Sequence, residues 1–276
     1  MTDRTTGKRR AAAEDIRELE LIGSAAAEGG RIAMQYFSGA NALDVRLKNG
    51  RSPVSAADLE IDEYLRRMLT KARPEYGWLS EESADAAGAA RHSARRTFIV
   101  DPIDGTRAFI DGADQWCVSI AVVETGRAVA GVLVCPALAT TYAAVRGGGA
   151  TKDDTPIKVQ TSGPALLVAA AKPVIDALNQ RLGDSLQHHR HVPSLAYRLA
   201  LVAEGRIDAT IVKPKSHDWD IAAAGLILEE AGGRLCTLDG GEVSLNGRNV
   251  AKPALLAGRD CLLERMLGVV SEDTFG

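Results

Sequence analysis

Thr97-Phe98-Ile99-Val100-Asp101-Pro102-Ile103-Asp104-Gly105-Thr106 decides how the rest of this chain is read. A compact apolar strand runs straight into two aspartates three residues apart. Pro102 fixes φ and removes a donor, so the turn between the aspartates is stiff. Hard cations such as Mg²⁺ want oxygen ligands in a tight octahedron, and a carboxylate pair on a rigid turn supplies them. Gly105 lets a bulky ligand approach the backbone. A helix starting there would point the amides of Gly105 and Thr106 at an anion, with the helix dipole adding to the attraction. Taken alone, such a pair is more often an Asx turn leading into a helix cap.

Three further acidic sites shift the balance. Glu81 and Glu82 follow the short strand Trp78-Leu79-Ser80, and Asp58 lies in the first turn of a helix that begins near Ser55. Asp220 follows Trp219 at the start of a helix rich in small residues, Ala222-Ala223-Ala224-Gly225. Singly, these read as a surface pair, a dipole-favoured helix start and an N-cap. Together, all four sites stand at element ends, where functional residues collect. Spacing alone does not bring them to one place.

Around these sites the chain alternates in character. The apolar stripe of Ile16, Leu19, Ile22, Ala26, Ile32, Ala33 and Tyr36 predicts a helix over 14–37, weakened locally by Gly29-Gly30. A polar segment at 48–53 follows, then a helix to about Lys71. The small, polar stretch 84–96 reads as a mobile loop. Strand-like runs at 118–123, 128–134 and 141–145 complete a first half of two helices on an antiparallel meander. In the second half, strands at 165–170, 209–212 and 234–237 alternate with helices at 174–182, 194–203 and 220–231, which suggests an α/β layer. The division is placed near 147–156: an N-terminal α+β part, 1–150, carries most of the acidic sites, and a C-terminal α/β part, 151–276, carries Asp220.

A chain of 276 residues suits one large or two modest domains sharing a core. Its 46% apolar and 25% charged residues are ordinary for a globular protein. A net charge of −3 offers no strong positive field, so no nucleic-acid partner is expected. Cys117, Cys135, Cys236 and Cys261 lie far apart in apolar runs and read as buried free thiols. No signal-like h-region follows Lys8-Arg9-Arg10 and no run is long enough to span a membrane. The expectation is a cytoplasmic protein with a frayed start up to about residue 12.

Glu81-Glu82-Ser83, Asp101-Pro102-Ile103-Asp104-Gly105-Thr106, Trp219-Asp220 with Ala222-Ala223-Ala224-Gly225, and Glu230-Ala231-Gly232-Gly233 together resemble the inositol monophosphatase family, with Ser55-Ala56-Ala57-Asp58 fitting its early motif. The motifs stand in the family's order and cover the chain to about residue 257. The resemblance implies fold class α/β (α+β), as a layered αβαβα sandwich, a homodimer, two or three Mg²⁺ ions, inhibition by Li⁺ and hydrolysis of a small phosphorylated metabolite. It implies that Glu81, Asp101 and the carbonyl of Ile103 hold one metal, and that Asp101, Asp104 and Asp220 hold a second. A weaker third would lean on Glu81 through waters. Asp58 and Thr106 would position and deprotonate the attacking water, and Gly105, Thr106 and Asp220 would meet the substrate.

Departures from the family pattern bear on substrate. Inositol-preferring members carry an acidic residue seven positions before the Trp-Asp aspartate; here that position is Lys213, followed by Pro214 and Lys215. A lysine attracts anions where a carboxylate would accept from hydroxyls, so a second anionic group on the substrate is expected. Against that stands the plain reading of these lysines as a solvated surface. Ser194-Leu195-Ala196-Tyr197-Arg198 with Val202-Ala203-Glu204-Gly205 resembles the 3'(2'),5'-bisphosphate nucleotidase branch. Lys172, after Ala169-Ala170-Ala171, is a further candidate anion contact. His92, His188, His189, His191 and His217 are given no metal or general-base role, since Mg²⁺ prefers oxygen. The function expected is that of a bisphosphate nucleotidase-like enzyme or an inositol-1-phosphatase; the rivals are a fructose-1,6-bisphosphatase or a histidinol-phosphate phosphatase on the same scaffold, or a non-catalytic regulatory binding protein.

Overall fold

A computed structural model describes residues 3–37, 39, 44–48, 52–83, 88–160, 166–182 and 186–270. The elements run, in order, α1 (Asp3–Phe37), β1 (Val45–Lys48), β2 (Ser52–Ser55), α2 (Ala56–Ala72), β3 (Gly77–Ser80), α3 (Gly88–Ser93), β4 (Arg96–Asp104) and α4 (Thr106–Ile110). Then come β5 (Cys117–Glu124), β6 (Arg127–Cys135), β7 (Thr140–Val145), β8 (Gly149–Lys152) and β9 (Thr155–Ile157). The remainder is β10 (Leu167–Ala169), α5 (Lys172–Leu182), β11 (Gln187–His188), α6 (Leu195–Ala203), β12 (Ala209–Val212), α7 (Asp218–Glu230), β13 (Arg234–Thr237), β14 (Leu255–Gly258) and α8 (Asp260–Met266).

Side-chain alternation along the strands builds the layers. Phe98 and Val100 of β4, with Ile120 and Val122 of β5, point to one face and meet Ile22 of α1 and Ile61 and Leu65 of α2. Ile99, Ala121 and Val123 point to the other and meet α6 and α7 through Leu199 and Ile227. Leu255 and Ala257 of β14 close that inner layer from the second sheet, while Leu256 points outward to α5 and α8. The sequence of layers is therefore helix, sheet, helix, sheet, helix. The first sheet has the order β3-β4-β5-β6-β7-β8-β9, and the second β11-β10-β12-β14-β13.

Several expectations change in detail. β3 pairs parallel with β4, so only β4–β9 form the antiparallel meander. Helix α1 already begins at Asp3, where a frayed segment was expected, and it passes through Gly29-Gly30 unbroken because it packs along β5 and β6. The stretch read as a loop contains α3 at 88–93, while 84–87 and the polar 49–51 lie outside the described residues. Residue 150 falls inside β8, and the first sheet continues to Ile157. Cys117, Cys135 and Cys236 are buried, whereas Cys261 is exposed on α8, whose short apolar face is satisfied by Leu262, Leu263 and Met266.

Helix α7 lies close against the first sheet. A Cβ on Gly131 of β6 would stand 3.0 Å from the Cα of Ala223 and 3.1 Å from its carbonyl oxygen. Both atoms are backbone, so nothing there can rotate away. Gly131→Val is expected to lower unfolding stability by about 1–3 kcal/mol, the usual range for overpacking. Urea denaturation measures it, and an unchanged midpoint would mean that α7 has room to shift.

Candidate active site

The site begins where β4 leaves regular pairing. Asp101 stands opposite Ser119 and Asp104 opposite Cys117, so one extra residue is taken up on β4 as a bulge. In a regular strand, residues three apart face opposite sides. The bulge cancels that odd step, and carboxylate oxygens of Asp101, Asp104 and Asp220 all lie within 4.8 Å of one another. Pro102 suits the bulge because it has no N–H to leave unpaired. The Ile103 amide donates to Asp101 Oδ1 at 3.1 Å and tightens the turn.

Each remaining group is aimed by a local device. Asp58 is the N3 residue of α2, and its Oδ2 accepts from the Ser55 amide at 2.8 Å and the Ser55 hydroxyl at 2.6 Å. Thr106 Oγ1 stands 3.3 Å from Asp58 Oδ1 and 3.0 Å from the Ile103 carbonyl oxygen. Asp220 is N3 of α7 and accepts from the His217 amide at 2.7 Å. Asp104 Oδ2 accepts from the Ser194 hydroxyl and, at 2.7 Å, from the Ala196 amide, so it sits on the first turn of α6. Glu81 leaves the end of β3, its amide bonded to the Val100 carbonyl at 3.2 Å. Glu81, Asp101, Ile103, Asp104, Gly105, Thr106, Arg107 and Asp220 line one hollow of about 230 Å³.

Burial pushes the Asp101 carboxyl well above its ordinary range, and the charges of Glu81, Asp104, Asp220 and Asp58 push it further. Burial likewise raises Asp220, with Asp104 adding to it. Asp104 is also raised by burial, but the bonds from Ser194 and Ala196 pull it back. Such a cluster is unstable as anions by itself and is satisfied by a cation. Its donors are all carboxylate or carbonyl oxygen, the set that Mg²⁺ takes. The residues thus fit a divalent metal.

Below Asp220, the buried Asp218 forms an ion pair with Lys252, Oδ1 to Nζ at 2.5 Å, and its Oδ2 accepts from the Asn246 amide at 2.7 Å, anchoring the start of α7. The His217 ring stacks on Trp219 at 4.6 Å, so this histidine is a wall and its amide is what reaches Asp220.

The structure brings together Asp58, Glu81, Asp101, Ile103, Asp104, Gly105, Thr106 and Asp220. Lys213 and Lys215 do not line that hollow. They line an adjoining cavity of about 510 Å³ that shares Asp220 with it. Lys172 lines neither; it is exposed and bonds Asp176 at 3.3 Å, one turn along α5. The sequence gives no sign that Ser194 holds Asp104. Arg198 stands out in the sequence only as a lone cation inside the apolar helix Leu195–Ala203, which does not say what it faces.

Two stacked sheets between helix layers, with a buried carboxylate cluster at the end of one strand, define a metal-dependent phosphatase of the layered α/β type. The chain belongs to the inositol monophosphatase family, whose profile matches residues 16–270, and it is a phosphomonoesterase of that family. It is 34% identical to an inositol-1-monophosphatase of Mesorhizobium japonicum over 92% of this chain and 96% of that one. It is 35% identical to a histidinol-phosphatase of Mycobacterium tuberculosis over 78% and 86%. The solved extragenic suppressor protein suhB from Bartonella henselae superposes with a TM-score of 0.78 at 30% identity, covering 91% of this chain and 98% of that one. Among the described residues, no helix is long and apolar enough to cross a membrane.

Proposed function

We propose that the protein is a Mg²⁺-dependent phosphomonoesterase acting on a small phosphorylated metabolite that carries a second anionic group, as in the 3'(2'),5'-bisphosphate nucleotidase branch. One observation carries the chemistry: the Thr106 hydroxyl sits between Asp58 Oδ1 and the Ile103 carbonyl, at the rim of the Asp101, Asp104 and Asp220 cluster. Glu81, Asp101 and the Ile103 carbonyl would hold one Mg²⁺ and Asp101, Asp104 and Asp220 a second, with a third on Glu81 through waters. Bound there, Mg²⁺ supplies Lewis acidity, acidifying a water ligand and offsetting phosphate charge.

The chain's own residues do the rest. Ser55 occupies Asp58 Oδ2 with two bonds and turns Oδ1 toward Thr106. Thr106 passes a proton from the attacking water to Asp58, a short general-base relay. Gly105 and Thr106, at the start of α4, receive the phosphate oxygens. Burial raises the Asp104 carboxyl, and the bonds from Ser194 and Ala196 favour its ionised form against that burial. No covalent phosphoenzyme is needed. The homodimer and the Li⁺ sensitivity that the resemblance implies belong to the same reading, as does the cytoplasmic location expected from the lack of a signal-like segment; light scattering and a Li⁺ titration measure the first two.

The test is phosphate release with Mg²⁺ from inositol 1-phosphate, adenosine 3',5'-bisphosphate, fructose 1,6-bisphosphate and histidinol phosphate. The bisphosphate nucleotide is expected to lead. Leadership by one of the others transfers the site to that rival reading with its metals unchanged, and release from none would leave a binding protein. Lys213 lines the cavity beside Asp220, where the leaving group's body must lie. Lys213→Glu is expected to swing the kcat/KM ratio toward inositol 1-phosphate by roughly ten- to a hundred-fold, the worth of a partly desolvated charged hydrogen bond. An unmoved ratio would make Lys213 a surface charge.

A further inference from the structure

Helix α7 carries Asp220, yet little along its length fixes how the helix is turned about its axis. Ile221–Leu228 is wholly apolar or small, and apolar packing is non-directional. Residues two apart on a helix point to nearly opposite sides. Asp220 accordingly lines the carboxylate hollow and Asp218 does not. Whatever grips Asp218 from behind therefore sets the angle at which Asp220 is offered.

Two buried cations converge on Asp218. Lys252 Nζ, 2.5 Å from Asp218 Oδ1, also donates to the Ser244 carbonyl at 2.7 Å. The second cation is Arg91 of α3, which is 5% exposed. Its Nη2 donates to the Gly247 carbonyl at 3.3 Å, while its Nε and Nη1 are sealed from solvent with no hydrogen-bond partner. Such burial is costly unless a counter-charge offsets it, and the anion that acts on Arg91 is Asp218.

The segment 244–252 straps these cations to the elements that bear the acids. Asn246 donates its amide to Asp218 and its Nδ2 to Thr97 Oγ1 of β4 at 3.0 Å. The Asp218 amide donates to the Val250 carbonyl at 3.0 Å, and the Lys252 amide to the Ser216 carbonyl at 2.7 Å. Helix α3 lies directly on β3, since a Cβ on Gly77 would stand 3.0 Å from the Arg91 Cα. Glu81 follows β3, β4 bears Asp101 and Asp104, and α7 bears Asp220. Mg²⁺ demands near-ideal octahedral geometry, so acids from three elements serve it only if those elements keep a fixed spacing.

We propose that Lys252 and Arg91, meeting at Asp218, are positioning residues of the metal centre: they lock the Asp220 helix to the elements bearing Glu81, Asp101 and Asp104, and so set the affinity for Mg²⁺. The inference rests on the Mg²⁺-phosphatase reading above and adds the buried charges that hold its ligands in place.

The experiment follows Mg²⁺ on the full chain in two ways. One is the concentration giving half-maximal phosphate release. The other is the concentration giving half of the Mg²⁺-induced rise in melting temperature, which needs no turnover. Lys252→Met and Arg91→Met are each expected to raise both concentrations about ten-fold or more, the usual effect of losing a group that orients a metal ligand. Removing one member of a buried charge cluster also weakens the fold, whereas neutralising the whole cluster often does not. The triple variant Asp218→Asn, Lys252→Met, Arg91→Met is therefore expected to melt higher in chelator than Lys252→Met while keeping the raised Mg²⁺ requirement. If the methionine variants do not fold, Lys252→Arg and Arg91→Lys decide; each keeps the charge but displaces it, and should raise both concentrations about three-fold or more. Unmoved Mg²⁺ concentrations in the folded variants overturn the inference and leave the phosphatase reading intact. So does a triple variant whose Mg²⁺ response returns to that of wild type, since the charges would then only hold the fold together. A wild type that releases phosphate from none of the four substrates and melts no higher with Mg²⁺ overturns both.

Discussion

Asp101→Asn is expected to lower phosphate release by more than about 10³-fold at saturating Mg²⁺. Asp101 is 1% exposed and its oxygens face Asp104 and Asp220, with Glu81 acting on it most strongly among the neighbouring charges. The substitution keeps shape and removes one negative charge from the donors proposed for two metals. Stabilisation of transition-state charge by such metals amounts to several kcal/mol, and about 4 kcal/mol corresponds to that loss. The same change should act oppositely on the metal-free protein. Burial and like charges raise the Asp101 pKa above its unfolded value. A group shifted that way gives stability that is fully present below the unfolded pKa and is lost as pH rises through the folded one. At neutral pH with a chelator, the variant should therefore melt higher than wild type, and the gap should close as pH falls below the ordinary carboxylate range. Adding Mg²⁺ should reverse the order, because only wild type gains fully from binding. Retained turnover, or the same melting order with and without Mg²⁺, would remove Asp101 from the metal site.

Thr106→Ala is expected to lower kcat by about 10²-fold or more, as for a lost proton relay, with little change in Mg²⁺ dependence. The hydroxyl is placed between Asp58 and the Ile103 carbonyl and is outside the three-carboxylate cluster. Removing it breaks the path from water to Asp58 without touching those carboxylates. Thr106→Ser should restore most of the rate, since the serine hydroxyl can occupy the same point. A loss confined to KM would mean that Thr106 only binds phosphate. A shift in Mg²⁺ dependence would mean that it supports the Ile103 carbonyl as a ligand.

Much of this was legible before any coordinates. The strand at 209–212 and that at 234–237 coincide with β12 and β13, because each is a short apolar run bounded by turn residues or a helix end. Helix α2 follows from Ser55 as a cap, with Asp58 three residues on. By contrast β1, β2, β14 and α8 went unread. β1 and β2 mix charged, polar and proline residues with their apolar ones, and the 7 residues of α8 are too few for a helical stripe to stand out. Arg198 was quoted as part of a motif and given no role, because a lone charge on a helix says nothing about what faces it until the packing is known.

The sequence by itself determined which residue types stand at which element ends: an aspartate pair on a proline-stiffened turn, acids at the starts of two helices, a glutamate pair after a strand, and lysines where an acid was expected. These are local facts, carried by turn chemistry and capping over a few residues. Only the tertiary structure decided that they meet. The same-face placement of Asp101 and Asp104 depends on a bulge fixed by pairing with β5. Thr106 reaches Asp58 across 48 residues, and Asp104 reaches Ser194 across 90. Contacts at such separations are set by which apolar faces pack together, and no local propensity encodes them. For the same reason the orphaned Nε of Arg198 could not be seen in the sequence: a missing partner is a property of the surroundings, which exist only once α6 has been buried between the two sheets.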